Sequence, residues 1–196
     1  MLKKIKVEII TGFLGSGKTS FIKSYLDISR KNTLNKSIIV QCEKGKEHLN
    51  NKYYKDRVLS IKEIEIKDIS EDFFIKNINF YEPNKIIIEN NGIYNTWNLI
   101  NILLNKRLKK YLTIVAIVVL VDAKSFEMFT KNLGHMIIPN INMADVVVIN
   151  NKSYIKKEQL IKIEKQIKKM NSNAQIIKSE SSLYIQQALN KFRLIK

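Results

Sequence analysis

Residues 9–19 read Ile9-Ile-Thr-Gly-Phe-Leu-Gly-Ser-Gly-Lys-Thr19, an apolar run that leads directly into a glycine-rich turn. From Gly12 to Thr19 the stretch fits GxxxxGK[ST] without a mismatch. Glycines let the backbone curl so that several N–H groups point at one anion, and the start of a following helix adds its dipole there. The stretch predicts a phosphate-binding loop between a strand and a helix. A glycine turn without a ligand is the simpler alternative.

The side chains of this loop are expected to have different roles. Lys18 is expected to reach the β- and γ-phosphates of a nucleoside triphosphate, and the Thr19 hydroxyl is expected to be a ligand of Mg²⁺. The other loop residues expected to surround the phosphates are Gly12, Phe13, Leu14, Gly15, Ser16, Gly17 and Ser20.

Short apolar runs alternate with longer amphipathic stretches along the chain, which predicts strands alternating with helices. The predicted strands are Ile5–Thr11, Ser37–Gln41, Lys85–Glu89, Leu112–Asp122, Asp145–Asn150 and Gln175–Lys178, with a weak segment near Val58–Ile66. The predicted helices are Lys18–Arg30, Ile69–Ile78, Asn95–Leu108 (with Trp97, Ile100, Leu104 and Leu108 on its apolar face), Ile155–Met170 and Ser181–Phe192. We expect an α/β fold with three layers, in which helices cover both faces of a mostly parallel central sheet.

The composition limits the classes of partner. No apolar run approaches the roughly 18–20 residues of a membrane span, and we identify no targeting segment. The single cysteine cannot form an internal disulfide, so a cytoplasmic location is the expectation. The net charge of +16 would suit nucleic acid, but the lysines are spread along predicted helices without a basic and aromatic cluster. We therefore expect neither a membrane nor a nucleic-acid partner.

A second acidic element follows another apolar strand. Residues 85–92 read Lys85-Ile-Ile-Ile-Glu89-Asn-Asn-Gly92, so a carboxylate ends the strand and a glycine follows. An enzyme with a phosphate loop needs an acid at this place to hold Mg²⁺ or its water, and a glycine amide can sense the γ-phosphate. We therefore predict that Glu89 is a metal ligand and that Gly92 contacts the nucleotide.

With these elements in this order, the chain resembles the CobW-like GTPases, which are relatives of the hydrogenase and urease nickel-insertion GTPases. The phosphate loop is common to many families, but its combination with the later segments is more specific. The segments that match are Ile9–Thr19, Cys42–Gly45, Glu89–Gly92, Val119–Ala123 and Ala144–Asn150. The resemblance implies a P-loop NTPase fold, binding of GTP with Mg²⁺, and delivery of a metal or a cobalamin-type cofactor to a client protein. It also allows a homodimer.

The resemblance implies further site residues. Glu43 would lie beside the phosphate loop and help hold Mg²⁺ or orient the attacking water, and a solvated loop carboxylate is the alternative. Asp122 would be an acid behind the metal, and capping of a helix that starts near Ala123 is the alternative. Asn150, Lys152 and Ser153 fall in the segment that reads the base.

The sequence departs from the family at three places. Residues 57–66 lack the Cys-x-Cys-Cys that usually precedes the Glu-x-x-Gly strand, and Cys42, His48 and His135 have no metal-ligand spacing. The segment that would read the base allows two registers, Asn150-Asn151-Lys152-Ser153 and Asn151-Lys152-Ser153-Tyr154. Neither contains the Asp that reads guanine, a contact worth about 2–4 kcal/mol, so the nucleotide could be GTP or ATP. The C-terminal domain of many members is not expected, and residues 1–196 are predicted to form one nucleotide-binding domain.

These features favour a Mg²⁺-dependent nucleoside triphosphatase with Lys18, Glu43 and Asp122 as catalytic residues. Hydrolysis would switch loops that a client protein contacts. A nucleotide-binding module without hydrolysis is the second function that the sequence allows. A small-molecule kinase is the third, although the few arginines form no cluster that would make a lid over the phosphates.

Overall fold

A computed structural model describes residues 4–29, 36–42, 49 and 51–180. Within these residues the strands are β1 Ile5–Thr11, β2 Ser37–Gln41, β3 Leu59–Glu63, β4 Lys85–Glu89, β5 Leu112–Asp122, β6 Val146–Asn150 and β7 Gln175–Lys178. The helices are α1 Lys18–Ser29, α2 Asn51–Tyr54, α3 Glu71–Tyr81, α4 Thr96–Leu103, α5 Phe126–Asn132, α6 Gly134–Asn142 and α7 Lys157–Met170. Glu43, His48 and the predicted helix Ser181–Phe192 lie outside the described residues.

The strands form one sheet of seven strands in the order β3-β2-β4-β1-β5-β6-β7 within the described part of the chain. Every pair in this sheet is parallel. The sheet is therefore wholly parallel there, rather than mostly parallel as the sequence predicted. All carboxyl ends of the strands lie along the same edge, where ligands bind in open α/β sheets.

The core lies on both faces of the sheet. Side chains of a strand point alternately to opposite faces, and Ile9 and Ile10 on β1 accordingly belong to different apolar clusters. Ile10 packs with Phe21 and Ile22 of α1, whereas Ile9 packs with Phe74 of α3. A third cluster joins α5, α6 and α7 to β5 and β6. The three-layer α/β architecture expected from the sequence is confirmed.

The helix bounds differ from the predicted ones at several places. The helix α3 begins at Glu71 because the Ser70 hydroxyl accepts a hydrogen bond from the Phe73 N–H, which caps the helix. The helix α7 begins at Lys157 rather than Ile155. The strand β6 begins after Asp145, whose carboxylate accepts a hydrogen bond from the Ile117 N–H at 2.8 Å. The helices α5 and α6 were not predicted from the sequence as separate elements.

The predicted apolar face of the fourth helix is wrong in part. The helix α4 ends at Leu103, and Trp97 and Leu104 are half exposed. The buried face consists of Leu99, Ile100 and Leu103, with Leu108 buried in the turn that follows. No helix of the described residues is long and apolar enough to cross a membrane.

A buried ionic cluster lies between the middle of the central strand β1 and the start of β4. Glu8 of β1 is only 4% exposed, and its Oε1 accepts hydrogen bonds from the Tyr25 hydroxyl at 2.7 Å and from Lys85 Nζ at 2.9 Å. Lys85 Nζ also donates to the Tyr25 hydroxyl oxygen at 2.6 Å. Burial of the phenol, and then the negative charge of Glu8, raises the pKa of Tyr25 far above its ordinary value. The cluster joins α1 to β1 and β4 by charged hydrogen bonds.

This cluster predicts a loss of stability in alkali. A tyrosine with a raised pKa in the folded state contributes stability that is complete below the unfolded pKa of about 10 and is lost as pH rises above it. We expect the free energy of unfolding to fall above pH ~10, with at most ~1.4 kcal/mol per pH unit from this group. Urea unfolding of the wild type and Tyr25→Phe between neutral and alkaline pH tests this. Equal slopes for the two proteins above pH ~10 would contradict it.

The helix α3 offers a paired test of the core. Phe74 is 1% exposed and packs against the sheet, whereas Phe80 on the same helix is 77% exposed. We expect Phe74→Ala to lower the free energy of unfolding by about 3–5 kcal/mol, because it leaves a cavity. Phe80→Ala serves as the control and should change it by less than about 0.5 kcal/mol. Urea denaturation followed by circular dichroism measures both, and equal losses would mean that α3 does not pack as described.

Candidate functional site

Polar side chains gather where β1, β2, β4, β5 and β6 end, along the carboxyl edge of the sheet. The turn of residues 12–17 joins β1 to α1 at the middle of this edge. The segment after β4 packs against one side of that turn, and the segments after β5 and β6 lie on the other. This is the place at which a parallel sheet with helices on both faces binds its ligand.

The turn has the backbone that the glycine pattern predicted. Gly17 has φ +96, a conformation that side chains rarely adopt, and a Cβ there would collide with the Asn150 Nδ2. The Phe21 N–H donates to the Gly17 carbonyl at 2.9 Å, which starts α1 at the end of the turn. The first N–H groups of α1 therefore point into the turn, as an anion site requires.

The Lys18 side chain lies over this turn and is 4% exposed. Its Nζ donates hydrogen bonds to the carbonyl of Gly12 at 2.7 Å and of Phe13 at 3.1 Å. A buried ammonium needs such partners because desolvation of an unpaired charge is costly. The carbonyl contacts hold a positive charge in the mouth of the turn.

Two hydroxyls near the turn are buried without a partner. The Oγ of Ser16 and the Oγ1 of Thr11 have no hydrogen-bond partner within the described residues. Buried hydroxyls are normally satisfied, and an unsatisfied one costs about 1–3 kcal/mol. The Ser16 hydroxyl is in the turn itself, where it could donate a hydrogen bond to a phosphate oxygen.

Glu89 is connected to the turn through Thr19. The Thr19 hydroxyl donates to Glu89 Oε1 at 2.6 Å, and Gln41 Nε2 donates to Glu89 Oε2 at 2.7 Å. Glu89 is 2% exposed, so both carboxylate oxygens are satisfied inside the protein. Since the Thr19 proton points to Glu89, the lone pairs of this hydroxyl remain for a cation. The arrangement fits a Mg²⁺ ion, which prefers oxygen ligands.

The role of Gln41 is not apparent from the sequence. This residue ends β2, and the parallel register places it beside Glu89 at the end of β4. It orients the carboxylate that Thr19 contacts. The signal in the sequence is a polar residue at the last position of an apolar strand, but assigning it requires knowing that β2 and β4 are neighbours.

The segment after Glu89 packs tightly on the phosphate turn. A Cβ at Gly92 would collide with the carbonyl of Gly12 and with the Phe13 N–H. Asn90 is fully buried, and its Nδ2 donates to the Thr96 hydroxyl at 3.1 Å. Gly92 therefore lies directly against the phosphate turn, and it can lie there only because it lacks a side chain.

Asn150 connects the end of β6 to the phosphate turn. Its Nδ2 donates to the Ser16 carbonyl at 3.1 Å, and its Oδ1 accepts from the Asn151 N–H at 2.9 Å. Of the two registers considered for the base-reading segment, this contact favours the one that begins at Asn150. Asn151 follows in the left-handed conformation with φ +59, which asparagine tolerates better than most residues.

Asp122 at the end of β5 is engaged through both carboxylate oxygens. Asn151 Nδ2 donates to Oδ1 at 2.8 Å, and the Ser125 hydroxyl donates to Oδ2 at 2.9 Å. The helix α5 begins at Phe126, and no side-chain hydrogen bond caps it. The alternative of Asp122 as a helix cap is therefore wrong. Its contacts tie the end of β5 to the turn after β6.

The other residues that are predicted to surround the phosphates differ in how exposed they are to solvent. Phe13 is 6% exposed, and its ring packs against that of Phe129, with 4.6 Å between centroids and a tilt of 31° between the ring planes. Leu14 is 61% exposed at the tip of the turn. Ser20 is on α1, and its carbonyl accepts from the Ser24 hydroxyl at 3.0 Å. Gly15 has φ +80 and open space around it.

Lys152 and Ser153 lie in a short turn after β6. Lys152 Nζ is 3.1 Å from Glu180 Oε1, and the Lys152 N–H donates to the Ser179 carbonyl at 3.2 Å. Ser153 is exposed. Lys124 Nζ lies 4.3 Å from the centre of the neighbouring Tyr154 ring. The turn is thus bordered by a carboxylate on one side and an ammonium on the other.

No group of three His, Cys, Asp or Glu side chains that could hold a metal ion occurs in the part of the chain that the structure describes. Cys42 is buried, and its N–H donates to the Glu89 carbonyl at 3.0 Å. His135 is in α6.

Comparison with known proteins places this geometry in a family. The model of the family described as CobW/HypB/UreG, nucleotide-binding domain, matches residues 6–178. The zinc-regulated GTPase metalloprotein activator 1 of Schizosaccharomyces pombe (strain 972 / ATCC 24843) is 26% identical over 200 residues, which cover 91% of this chain and 46% of that protein. The chain thus spans about half the length of this curated relative.

Two solved structures have the same fold. The Zn(II)-bound YjiA GTPase from E. coli has a TM-score of 0.65 and 19% identity, over 89% of this chain and 57% of that one. The hydrogenase maturation factor HypB from Archaeoglobus fulgidus has a TM-score of 0.61 and 18% identity, over 99% of this chain and 91% of that one. At these identities the likeness supports the arrangement of strands and helices.

The packing of Gly92 on Gly12 predicts the effect of a single methyl group. We expect Gly92→Ala to lower the free energy of unfolding by about 1–3 kcal/mol, because the added Cβ must displace backbone atoms. Gly134→Ala is the matched control, since its Cβ would meet only the mobile end of Ile138 at 3.3 Å. That change should be neutral or stabilising, because alanine favours a helix. Urea denaturation distinguishes the two, and a neutral Gly92→Ala would contradict the close packing.

Proposed function

The chain belongs to the CobW/HypB/UreG nucleotide-binding domain family, and we propose that it binds GTP with Mg²⁺ and hydrolyses it to switch an interaction with a client protein. The observation that carries the proposal is the contact of the Thr19 hydroxyl with Glu89 Oε1 at 2.6 Å, directly beside the phosphate turn. It joins the residue expected to bind Mg²⁺ to the acid that ends β4, a strand next to β1.

The phosphate turn supports the binding of a triphosphate. Backbone N–H groups at the start of α1, with the Lys18 ammonium, provide positive potential, and the Ser16 hydroxyl provides a further donor. Lys18 would move between the turn carbonyls and the β- and γ-phosphates over a short distance. Its burial at 4% exposure means that water screens this charge little.

Thr19 and Glu89 would hold Mg²⁺, directly or through its water. When bound, the ion would neutralise charge that develops on the β- and γ-phosphates. Gln41 fixes the Glu89 carboxylate through its second oxygen, so Glu89 would not have to reorient when the ion binds. In-line attack by water needs little covalent help from the protein, so positioning and charge are what these residues contribute.

The attacking water would be oriented by Glu43, which lies outside the described residues. Asp122 was the second candidate for this role, but Ser125 and Asn151 already occupy its two oxygens. We therefore propose that Asp122 acts as a positioning residue, which holds the turn after β6 in place. Gly12, Phe13, Leu14, Gly15, Ser16, Gly17, Ser20, Gly92, Asn150, Lys152 and Ser153 remain proposed nucleotide contacts.

The position of Gly92 suggests how the presence or absence of a γ-phosphate would alter the surface that a partner contacts. Because it packs against Gly12, a γ-phosphate in the turn would act directly on the segment of residues 89–92. Ile93 and Trp97, just beyond it, are 61% and 50% exposed. These apolar side chains would present a different surface to a client protein before and after hydrolysis.

The client would receive a metal. The relative from Schizosaccharomyces pombe is named a zinc-regulated GTPase metalloprotein activator, and HypB is named a hydrogenase maturation factor. Delivery of a cobalamin-type cofactor, a homodimer and a cytoplasmic location are further parts of this proposal that rest on family resemblance and composition.

A non-hydrolysing nucleotide-binding module is the second candidate. The engagement of Asp122 through both oxygens favours it, because this removes one acid that could position water. Such a module would bind triphosphate and report the bound state to its partner without useful turnover. The two candidates share the phosphate turn and differ only in phosphate release.

Replacing Lys18 tests the proposed function. We expect Lys18→Ala to reduce phosphate release from GTP in Mg²⁺ by about 10²-fold or more, because it removes the charge that faces the transferred group. Phosphate release is measured with a colorimetric assay, and binding is measured with fluorescent GTP and ATP analogues with and without Mg²⁺. Lys162→Ala, which changes an exposed lysine paired with Glu127 on the surface, is the control.

The outcomes separate the candidates. An unchanged rate in Lys18→Ala would remove the proposed hydrolysis. Tight binding by the wild type without phosphate release, even with cell extract that contains client proteins, would favour the second candidate. Thr19→Ala should additionally weaken the dependence of binding on Mg²⁺, whereas Thr130→Ala, which removes a hydroxyl that donates to the Phe126 carbonyl on α5, should leave it unchanged.

A further inference from the structure

The turn after β6 determines which residues border the base of a bound nucleotide. Asn150 Nδ2 donates to the Ser16 carbonyl at 3.1 Å, so this turn is fixed beside the phosphate turn. The Lys152 N–H donates to the Ser179 carbonyl at 3.2 Å, so the same turn is also fixed to the end of β7. A nucleotide whose phosphates lie in residues 12–19 would therefore meet residues 150–154 and 179–180 at its other end.

Two carboxylates border this region, and they differ in how many of their oxygens already have a partner. Asp122 accepts hydrogen bonds from Asn151 and Ser125 through its two oxygens. Glu180 is 39% exposed, and its Oε1 lies 3.1 Å from Lys152 Nζ. None of the contacts among the described residues engages Glu180 Oε2. Of the two, Glu180 is the carboxylate that can turn to a ligand.

The backbone next to Glu180 is firmly placed. Ser179 is fully buried, and its N–H donates to the Ile149 carbonyl at 2.8 Å, which continues the pairing of β6 with β7. Lys152 is 31% exposed and belongs to the turn that borders the base. The ion pair therefore keeps the Glu180 carboxylate on the side of β7 that faces this turn.

The chemistry of the base edges indicates which base a carboxylate would select. Guanine presents two adjacent donors, N1–H and the 2-amino group, and a carboxylate can accept both hydrogen bonds. Adenine presents an acceptor at N1, which a carboxylate repels. Xanthine presents N1–H beside a carbonyl, so it offers one donor and one repelling oxygen.

We propose that Glu180 reads the guanine edge and supplies the carboxylate that Ser153 does not carry. This inference rests on the proposed binding of GTP. Guanine would then be selected by a residue that follows β7, and not by the turn after β6. The ion pair with Lys152 would hold this residue, Glu180, beside the base. Ser153 then borders the base without selecting it.

The substitution Glu180→Gln tests the assignment through a change of preference. The glutamine oxygen can still accept from N1–H, but its NH₂ group opposes the guanine 2-amino group and matches the xanthine carbonyl. We expect the ratio of GTP to XTP affinity to move towards XTP by roughly ten- to a hundred-fold. The affinity for ATP should stay the same or rise, because the substitution removes the repulsion between the carboxylate and adenine N1.

The experiment measures the dissociation constants of non-hydrolysable GTP, XTP and ATP analogues in Mg²⁺ by isothermal titration calorimetry. Glu164→Gln is the matched control, since Glu164 also pairs with a lysine, Lys178 at 3.2 Å, but lies on α7. The control should keep the wild-type ratios. Circular dichroism of each variant establishes that it is folded.

The possible results separate this inference from the function on which it rests. If the wild type binds no triphosphate, the proposed function fails, and the role of Glu180 fails with it. If the wild type binds triphosphate but Glu180→Gln keeps the wild-type GTP to XTP ratio, only the role of Glu180 is overturned. A parallel loss of affinity for all three analogues in a folded variant would also overturn it, because a residue that reads the base edge must change the preference among bases.

Discussion

The site depends on a hydrogen bond between the start of α1 and the end of β4, from the Thr19 hydroxyl to the Glu89 carboxylate. The two residues are 70 positions apart in sequence, and they meet because β1 and β4 are parallel neighbours whose carboxyl ends lie side by side. Gln41 at the end of β2 completes the arrangement by binding the second carboxylate oxygen. The start of α1 and the end of β2 thus hold the acid of β4 in a fixed orientation, with the hydroxyl lone pairs left for a cation.

Most of the fold could be predicted from the sequence because its strands are apolar nearly throughout. The bounds of β1, β2, β4, β5 and β7 agree with the prediction, since each run ends at a polar residue or a turn. The bounds of α5 and α6 could not be predicted from the sequence, because Gly134 and Pro139 interrupt any simple helical pattern there. The predicted face of α4 was wrong because Trp97 and Leu104 are large and apolar but lie on its solvent side.

The candidate site could be predicted where it depends on local sequence, and it could not where it depends on neighbouring strands. The glycine pattern of Gly12–Thr19 is enough to predict the conformation of the turn. The role of Glu89 could be predicted from its position at the end of an apolar strand. The contacts of Gln41 with Glu89, and of Asn151 with Asp122, require the strand order, which no local pattern contains. The choice between two registers after Asn150 likewise needed the contact of this residue with the carbonyl of Ser16.

Trp97 lies just after the segment that packs on the phosphate turn, and it is the only tryptophan of the chain. Its indole is 50% exposed near the start of α4, five residues beyond Gly92 in the sequence. An indole that is partly in water changes its emission when the polarity around it changes. The protein therefore carries an intrinsic optical reporter of the position of this segment, and the reporter requires neither labelling nor a substitution.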